Sequence, residues 1–376
     1  MKEIKVGIIG CGFIAEFKHL PSMSRVEGFK PVAFCDLIPE RAQKLADKFG
    51  EPGCLVTEDY KEVLKREDID VIHVCTPNNS HSEITVAALE SGKHVMCEKP
   101  MAKTSAQAKA MLDAARKAGK LLTIGYQNRF REDSLFLKSL CEKGELGEIY
   151  LGKAFATRRR GVPTWGVFMD KEKQGGGPLI DLGTHALDLT LWMMDNYEPV
   201  NVLGSTYNKI GKTGSDANIM GPWNPDEYQV EDSAFGFVTF SNGATVILEA
   251  SWALNMIVSN EAMTMLCGTK AGADMFPPNG PVVRTSDFQS APTQQIRVNG
   301  EGGGSLFVQN YSMGATFIGD GGKREDFAGG TKEMTAWYNS ITKGSELVVK
   351  PEQAYTVTLI LEAIYKSAES GERIQL

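Results

Sequence analysis

The chain has 376 residues, with 40 Lys and Arg against 47 Asp and Glu for a net charge of -7. That length exceeds what one hydrophobic core usually spans and predicts two domains. With 42% apolar and 23% charged residues the composition is that of a globular protein; no segment approaches the roughly 18 unbroken apolar residues of a membrane helix, and no basic face suggests nucleic acid, Arg158-Arg159-Arg160 being the one dense basic spot.

From the N-terminus, strand-type apolar runs at Ile4 to Ile9, Pro31 to Cys35, Val71 to Cys75, His94 to Cys97 and Leu121 to Gly125 alternate with helical stretches. The helices fall near Phe13 to Ser22, Glu40 to Phe49, Tyr60 to Lys65, Ser80 to Ser91 and Ser105 to Ala118. Such alternation is the signature of a parallel sheet built from strand-helix-strand units, and it predicts an α/β Rossmann domain over residues 1–126. From Gln127 the texture changes. A helix near Asp133 to Lys143 precedes long alternating strands at Ile149 to Thr157, Ser233 to Phe240 and Ala244 to Trp252. Residues 127–376 therefore read as an α+β domain on an open, mostly antiparallel sheet. The helix Pro178 to Asn196 interrupts it, and helices near Lys332 to Thr342 and Gln353 to Ser370 close the chain. The Gly/Pro-rich stretches Gly211 to Pro225 and Phe276 to Gly304 read as surface loops or inserted hairpins.

The seven cysteines, Cys11, Cys35, Cys54, Cys75, Cys97, Cys141 and Cys267, are scattered, odd in number and without a Cys-x-x-Cys pair. They fit buried thiols in a reducing compartment, with no metal site. The N-terminal apolar run is short, Gly-rich and leads to Glu16 rather than to a cleavage site, so a cytoplasmic protein is expected.

The first strand runs into Gly10-Cys11-Gly12-Phe13-Ile14-Ala15, a Gly-x-Gly-x-x-Ala pattern that opens a helix. Alone it is a Gly-rich turn. Between a strand and a helix it reads as a dinucleotide site: Gly10 permits the tight turn, Gly12 lets a pyrophosphate approach the helix N-terminus, and Ala15 allows close packing. Asp36 ends the second strand about 20 residues on, where a carboxylate accepts ribose hydroxyls and repels a 2'-phosphate. Leu37 and Ile38 follow it, so NAD is favoured over NADP; Arg41 is the one nearby cation that argues otherwise.

Five histidines allow elimination. His73 and His94 fall in strands and His19 in the first helix, where packing is the ordinary role. His81 opens the helix after Thr76-Pro77-Asn78, close to the expected cofactor. His185 lies on the helix after Gly175-Gly176-Gly177-Pro178, and α-helical spacing puts Asp181, His185 and Asp188 on one face. Taken alone, an Asp/His pair on a helix is more often a satisfied polar cluster than a catalytic one. Lys99, in Glu98-Lys99-Pro100, places a cation where a strand leaves the sheet.

Together, GCGFIA near residue 10, Asp36, CTPN at 75–78, EKP at 98–100 and GGGPLIDLGTHALDL at 175–189 resemble, over essentially the whole chain, the glucose-fructose oxidoreductase, inositol dehydrogenase and MocA family. The resemblance implies a Rossmann domain and a second domain whose sheet often forms the oligomer interface, hence a homodimer or homotetramer. It implies Lys99, Asp181 and His185 as the catalytic set. By position it also implies that Phe13, Ile14, Asp36, Thr76, Pro77, Asn78, His81, Glu98, Lys99 and Gln127 line the cofactor with Gly10 and Gly12. Tyr126, Arg158 and Trp165 join Lys99, Asp181 and His185 as substrate candidates, Trp165 alternatively covering the cofactor.

The expected activity is NAD-dependent oxidation of a secondary ring hydroxyl on a sugar, glycoside or cyclitol. His185 is the expected general base, Lys99 the stabiliser of the developing alkoxide, and Asp181 an orienting group. Glycoside cleavage or exchange through a transient keto-sugar, with the hydride returned, is a second reading; a non-catalytic NAD sensor is a third.

Overall fold

A computed structural model describes residues 2–214, 217–257, 259–275, 293–300, 304–312 and 329–376. The chain forms two compact units.

The first unit takes residues up to Phe130 together with 323–355. Its sheet holds β1 (Ile4–Ile9), β2 (Phe29–Cys35), β3 (Leu55–Thr57), β4 (Val71–Val74), β5 (His94–Cys97) and β6 (Leu122–Ile124), in the order β3-β2-β1-β4-β5-β6. Every adjacent pair is parallel. Helices cover such a sheet on both faces, which is why β1 and β4 are near-continuous apolar runs and almost wholly buried. The short strand β3 escaped the sequence reading because three half-buried residues carry no apolar periodicity. Parallel pairing sends all six carboxyl ends to one edge, and the order reverses between β1 and β4, the switch point where such sheets bind ligands. The helix Gly330–Lys343 belongs to this unit: Met334, Trp337 and Tyr338 share a core with Ile4, Val6 and Phe29. Tyr338 also donates to the Lys2 carbonyl at 2.7 Å.

The second unit takes residues 131–322 and 356–376. Among the described residues its sheet runs β14-β13-β12-β11-β7-β10-β9-β8-β15, with β7 (Ile149–Thr157), β8 (Pro199–Tyr207), β9 (Ser233–Phe240), β10 (Thr245–Ser251), β11 (Asn260–Gly268), β12 (Ala271–Asp274), β13 (Thr293–Gly300), β14 (Gly304–Ser312) and β15 (Ile374–Gln375). All pairs are antiparallel except β7 with β10. On one face glycines let helices approach closely, between larger buried residues such as Val202, Val246 and Leu248. A Cβ at Gly152 would stand 2.7 Å from the Met194 sulfur, and one at Gly204 would stand 2.6 Å from the Ile364 carbonyl. On the other face, register aligns Leu203, Phe237, Ile247, Lys153 and Met265 in one row, with Leu203 and Phe237 about half exposed.

Of the two Gly/Pro-rich stretches, the first is a packed loop in which Trp223 donates to the Gly211 carbonyl at 2.7 Å and buried Asn218 bonds both Val162 N–H and C=O at 2.9 Å. In the second, residues 276–292 and 301–303 lie outside the described residues, and 293–300 is strand β13. No described helix is long and apolar enough to cross a membrane.

Candidate functional site

In the first unit the candidate residues gather at the carboxyl edge of the sheet. Gly10 has φ +92°, and a Cβ there would stand 2.6 Å from the Cys75 carbonyl, so only glycine lets β1 turn against β4. Gly12 differs. A Cβ on it would meet no protein atom within 4 Å, so packing does not demand glycine; the space in front of it is a cradle for a group from outside the chain. Asp36 is fixed by two backbone donors, Cys11 N–H at 2.7 Å and Ile38 N–H at 2.9 Å. Each carboxylate oxygen keeps lone pairs for a further donor, so the glycine cradle and the anchored carboxylate fit a dinucleotide.

Phe13 is half exposed and its ring lies 4.6 Å from that of Phe17; Ile14 packs on the core behind it. The helix expected over Phe13 to Ser22 opens with Phe13 and Ile14, passes through a π-helical turn, Ala15–His19, and continues as Leu20–Met23. Beyond β4, Thr76 is half-buried, Pro77 exposed and Asn78 buried. His81 is fully buried, its ring against the Thr76 and Pro100 carbonyls rather than facing the open edge.

Beyond β5 stands a charge cluster that the sequence reading did not foresee. Buried Glu98 accepts from Lys18 Nζ and His19 Nε2, both at 2.7 Å, and Lys18 also pairs with Glu333 at 3.0 Å. His19 Nδ1 faces His73 Nδ1 at 2.8 Å, so one ring donates and the other accepts. Burial opposes the charge on Lys18, but Glu333 and Glu98 more than offset it and hold the ammonium above the ordinary lysine range. Burial likewise opposes the charge on Glu98, yet Lys18 and His19 hold it well below the carboxylate range. Burial and the Lys18 charge push both histidines down, His73 further than His19. His19 and His73 thus do more than fill the core: they form a hydrogen-bonded line to Glu98. The one signal for this in the sequence is Lys18 itself, a cation on a helix face that must be buried, which requires a carboxylate. Gln127 accepts from Lys18 at 3.4 Å, Tyr126 is fully buried, and Lys99 is half-buried with its N–H donated to Glu98 Oε2 at 3.2 Å. The Lys99–Pro100 peptide is cis.

The second unit holds the other candidates. Gly177 and Leu179 donate their N–H groups to the two oxygens of Glu231 at 2.9 and 3.1 Å, and Tyr365 donates its hydroxyl at 2.8 Å. This satisfies the helix start, and Gly176 and Gly177 leave room for Tyr365 and the Glu231 backbone, where a Cβ would stand 2.0 and 2.2 Å away. Burial raises the Glu231 carboxyl against these donors.

The helix opens as a π turn, Leu179–Gly183, before the α-helix Thr184–Met194. Its i→i+5 bonds replace the α-helical register, so the spacing argument that stacked His185 on Asp181 does not hold there; it holds for His185 and Asp188, both buried in the α segment. Asp181 accepts the indole N–H of buried Trp252 at 3.0 Å. The Trp252 ring meets Phe168 edge to face, and Phe168 meets the partly exposed Trp165, an aromatic line from the surface to Asp181. Arg158 makes a bidentate pair with Glu261 at 2.7 and 2.5 Å and donates to the Gly161 carbonyl at 3.1 Å, while the Asp181 charge also favours its ionised form. Glu261 and Ala262 sit in a bulge of β11, with Ala262 at φ +52°, and such bulges re-aim side chains. Trp252, Phe168, Glu231 and Glu261 were not foreseen, because each lies tens of residues from its partner in sequence.

Residues 4–126 match the family model described as an oxidoreductase family with an NAD-binding Rossmann fold, and residues 138–376 match its C-terminal alpha/beta domain. The chain belongs to the Gfo/Idh/MocA oxidoreductase family. It is 37% identical over 373 residues to the D-glucoside 3-dehydrogenase of Escherichia coli (strain K12), covering 99% of this chain and 97% of that one. To the inositol 2-dehydrogenase of Salmonella typhimurium it is 30% identical over 220 residues, 58% of this chain and 62% of that one. The crystal structure of aldose-aldose oxidoreductase from Caulobacter crescentus has the same fold, with a TM-score of 0.76 at 24% identity over the full length of both chains. The resemblance read from the motifs is therefore correct, as are the α/β class, the NAD-binding domain and the assignment as an oxidoreductase.

Proposed function

We propose that this family member oxidises a secondary ring hydroxyl of a glycoside, sugar or cyclitol, with the 3-hydroxyl of a D-glucoside as first candidate. The observation that carries the reading is identity along almost the entire chain to a D-glucoside 3-dehydrogenase. Bound NAD supplies the hydride acceptor. Asp36 disfavours NADP, since a 2'-phosphate would meet a carboxylate. His185 takes the hydroxyl proton, histidine being the side chain that commonly exchanges a proton near neutral pH. Lys99 donates to the same oxygen and stabilises alkoxide character. Asp181, held by Trp252, orients the reacting group, and the exposed face of Trp165 offers a stacking plane for the apolar side of a sugar ring. Arg158, held by Glu261 and Gly161 through three of its five N–H groups, braces this corner.

The half-exposed row from Leu203 to Met265 supports self-association through the open sheet face, as a homodimer or homotetramer. A monomer by light scattering at micromolar concentration would contradict it. All seven cysteines are free, which fits a reducing, cytoplasmic setting.

A panel of mono- and disaccharides, inositols and aryl glycosides, followed by NADH absorbance and product mass together, tests the reading. It predicts NADH in step with a product lighter by two hydrogens. Altered product without NADH would instead mark the closed cycle in which the hydride returns, a reading that dehydrogenase relatives do not favour.

A further inference from the structure

Two loops of the first unit carry its candidate chemistry, Cys75 to Asn78 after β4 and Glu98 to Pro100 after β5. His81 stands between them at the start of the helix His81–Glu90 with no exposed surface. Its Nε2 lies 2.8 Å from the Thr76 carbonyl oxygen and its Nδ1 2.8 Å from that of Pro100. Further contacts tighten the same corner: Ser80 Oγ donates to Thr76 Oγ1 at 2.8 Å, Glu98 N–H to the Val74 carbonyl at 2.9 Å, and Lys99 N–H to Glu98 Oε2 at 3.2 Å. The Lys99–Pro100 dipeptide is thus held from both sides, at its N–H by a buried carboxylate and at its carbonyl by a buried imidazole.

A ring with no exposed surface and a protein carbonyl at each nitrogen has nothing left to offer a ligand. We propose that His81 is a positioning residue, a clasp that ties the loop of Thr76 to the loop of Pro100 and thereby sets where Lys99 stands relative to the cofactor loop. Histidine suits the task because it presents two polar atoms on opposite edges of one rigid ring. Burial keeps the ring below the ordinary histidine range, against the pull of both carbonyls and Glu98 and in line with the Lys99 charge. Only a ring protonated on both nitrogens donates to both carbonyls; in the neutral ring one nitrogen donates and the other meets its carbonyl as a packing contact alone, so the two halves of the clasp differ in kind and are separable. The proposal rests on Lys99 acting at the reacting oxygen.

The separation is testable because the Asn amide nitrogen falls near where Nδ1 stands and the Gln amide nitrogen near Nε2. His81→Asn keeps the Pro100 bond and gives up Thr76; His81→Gln does the reverse. With NAD and a methyl D-glucoside, His81→Gln is expected to lower kcat by about tenfold or more while the NAD Kd, read by calorimetry, stays within about threefold. His81→Asn, which releases the Thr76 loop, is expected to lower kcat as well and to weaken NAD binding more than His81→Gln does. Full kcat in both variants would overturn the clasp. Lys99→Met is measured alongside. Should it turn over like the unaltered protein, the role of Lys99 fails; should it be inactive while His81→Gln keeps full kcat, only the clasp fails. Amide hydrogen exchange on the unaltered protein gives a readout independent of turnover. Protection of the Lys99 N–H within about tenfold of the β5 amides is expected, and exchange at the rate of an open loop would overturn the proposal.

Discussion

At the carboxyl edge of the parallel sheet, the candidate site is shaped by backbone: the turn at Gly10, the open cradle before Gly12, and the Cys11 and Ile38 N–H groups that hold Asp36. In the second unit the candidate site is shaped by side chains: Trp252 on Asp181, Glu261 on Arg158, Phe168 on Trp252. Both regions carry a π-helical turn shortly after a glycine-rich segment, yet they use it differently. In the first, the turn carries Lys18 and His19 inward to brace Glu98; in the second, it carries Asp181 itself. A backbone-built site binds a cofactor common to many enzymes, and a side-chain-built site is free to vary with the substrate.

If that contrast is right, changes in the second region should act on turnover, and changes at the glycine turn and Asp36 of the first should act on affinity. The largest expected effect is His185→Ala, which should lower turnover by on the order of 10² to 10⁴ and leave NAD affinity nearly unchanged. Steady-state kinetics with calorimetry reads both, and loss of the double variant with Lys99→Met should be little worse than the worse single loss. Retention of more than about a tenth of turnover would make Asp181, His185 and Asp188 a structural polar cluster.

Next comes the glycine pair. Gly12→Ala should leave the melting temperature within a degree or two while weakening NAD by about tenfold or more, since the added methyl meets cofactor and no protein. Gly10→Ala should instead destabilise the fold by about 1–3 kcal/mol or more, because φ +92° and the Cys75 carbonyl both oppose it. Equal thermal shifts in the two variants would break the distinction. A smaller effect is cofactor choice: NAD should bind about tenfold better than NADP, and Asp36→Ser should narrow the gap. Equal affinities in the unaltered protein would contradict the role of Asp36.

The smallest is pH dependence. His19, His73, His81 and His94 are all pushed below the ordinary histidine range by burial, and Glu98 is held low by Lys18 and His19. A depressed folded pKa means that the unfolded chain takes up protons first as pH falls. The stability these groups contribute is therefore present above about pH 6.5 and declines below it for the histidines, and declines below about pH 4.5 for Glu98. Glu231, raised by burial, works in the opposite sense in the carboxylate range. Lys18, raised, changes nothing there because its stability is lost only in strong alkali. Melting should occur several degrees lower at pH 5.5 than at pH 8, and a flat profile would show that the histidines are not held neutral.

The same contrast explains what the amino-acid sequence reveals by itself. The parallel sheet, Gly10, Gly12 and Asp36 are legible because the physics is local: an apolar run, a turn that only glycine makes, and an acid at the end of the next strand. The helix after Pro178 is legible too, but its π turn is not, and that turn undoes the α-helical spacing from Asp181 to His185. Arg158 reads as part of a basic spot and a substrate candidate, and its pairing with Glu261, over a hundred residues away, has no local signal. His81 reads as a neighbour of the cofactor until both its nitrogens are found on carbonyls. The return of Gly330–Lys343 to the first unit, filling its core with Trp337 and Tyr338, has no local marker at all.

The account stands or falls on where a hydride goes. Methyl D-glucoside carrying deuterium at one ring carbon at a time, incubated with NAD and the enzyme, should give released reduced cofactor labelled from a single ring position, C3 being the first candidate, with one deuterium per molecule and an unlabelled keto-glycoside as its partner. Unlabelled reduced cofactor from every ring position, or deuterium found back in the sugar product with none in solution, would contradict net oxidation of a ring hydroxyl by this protein.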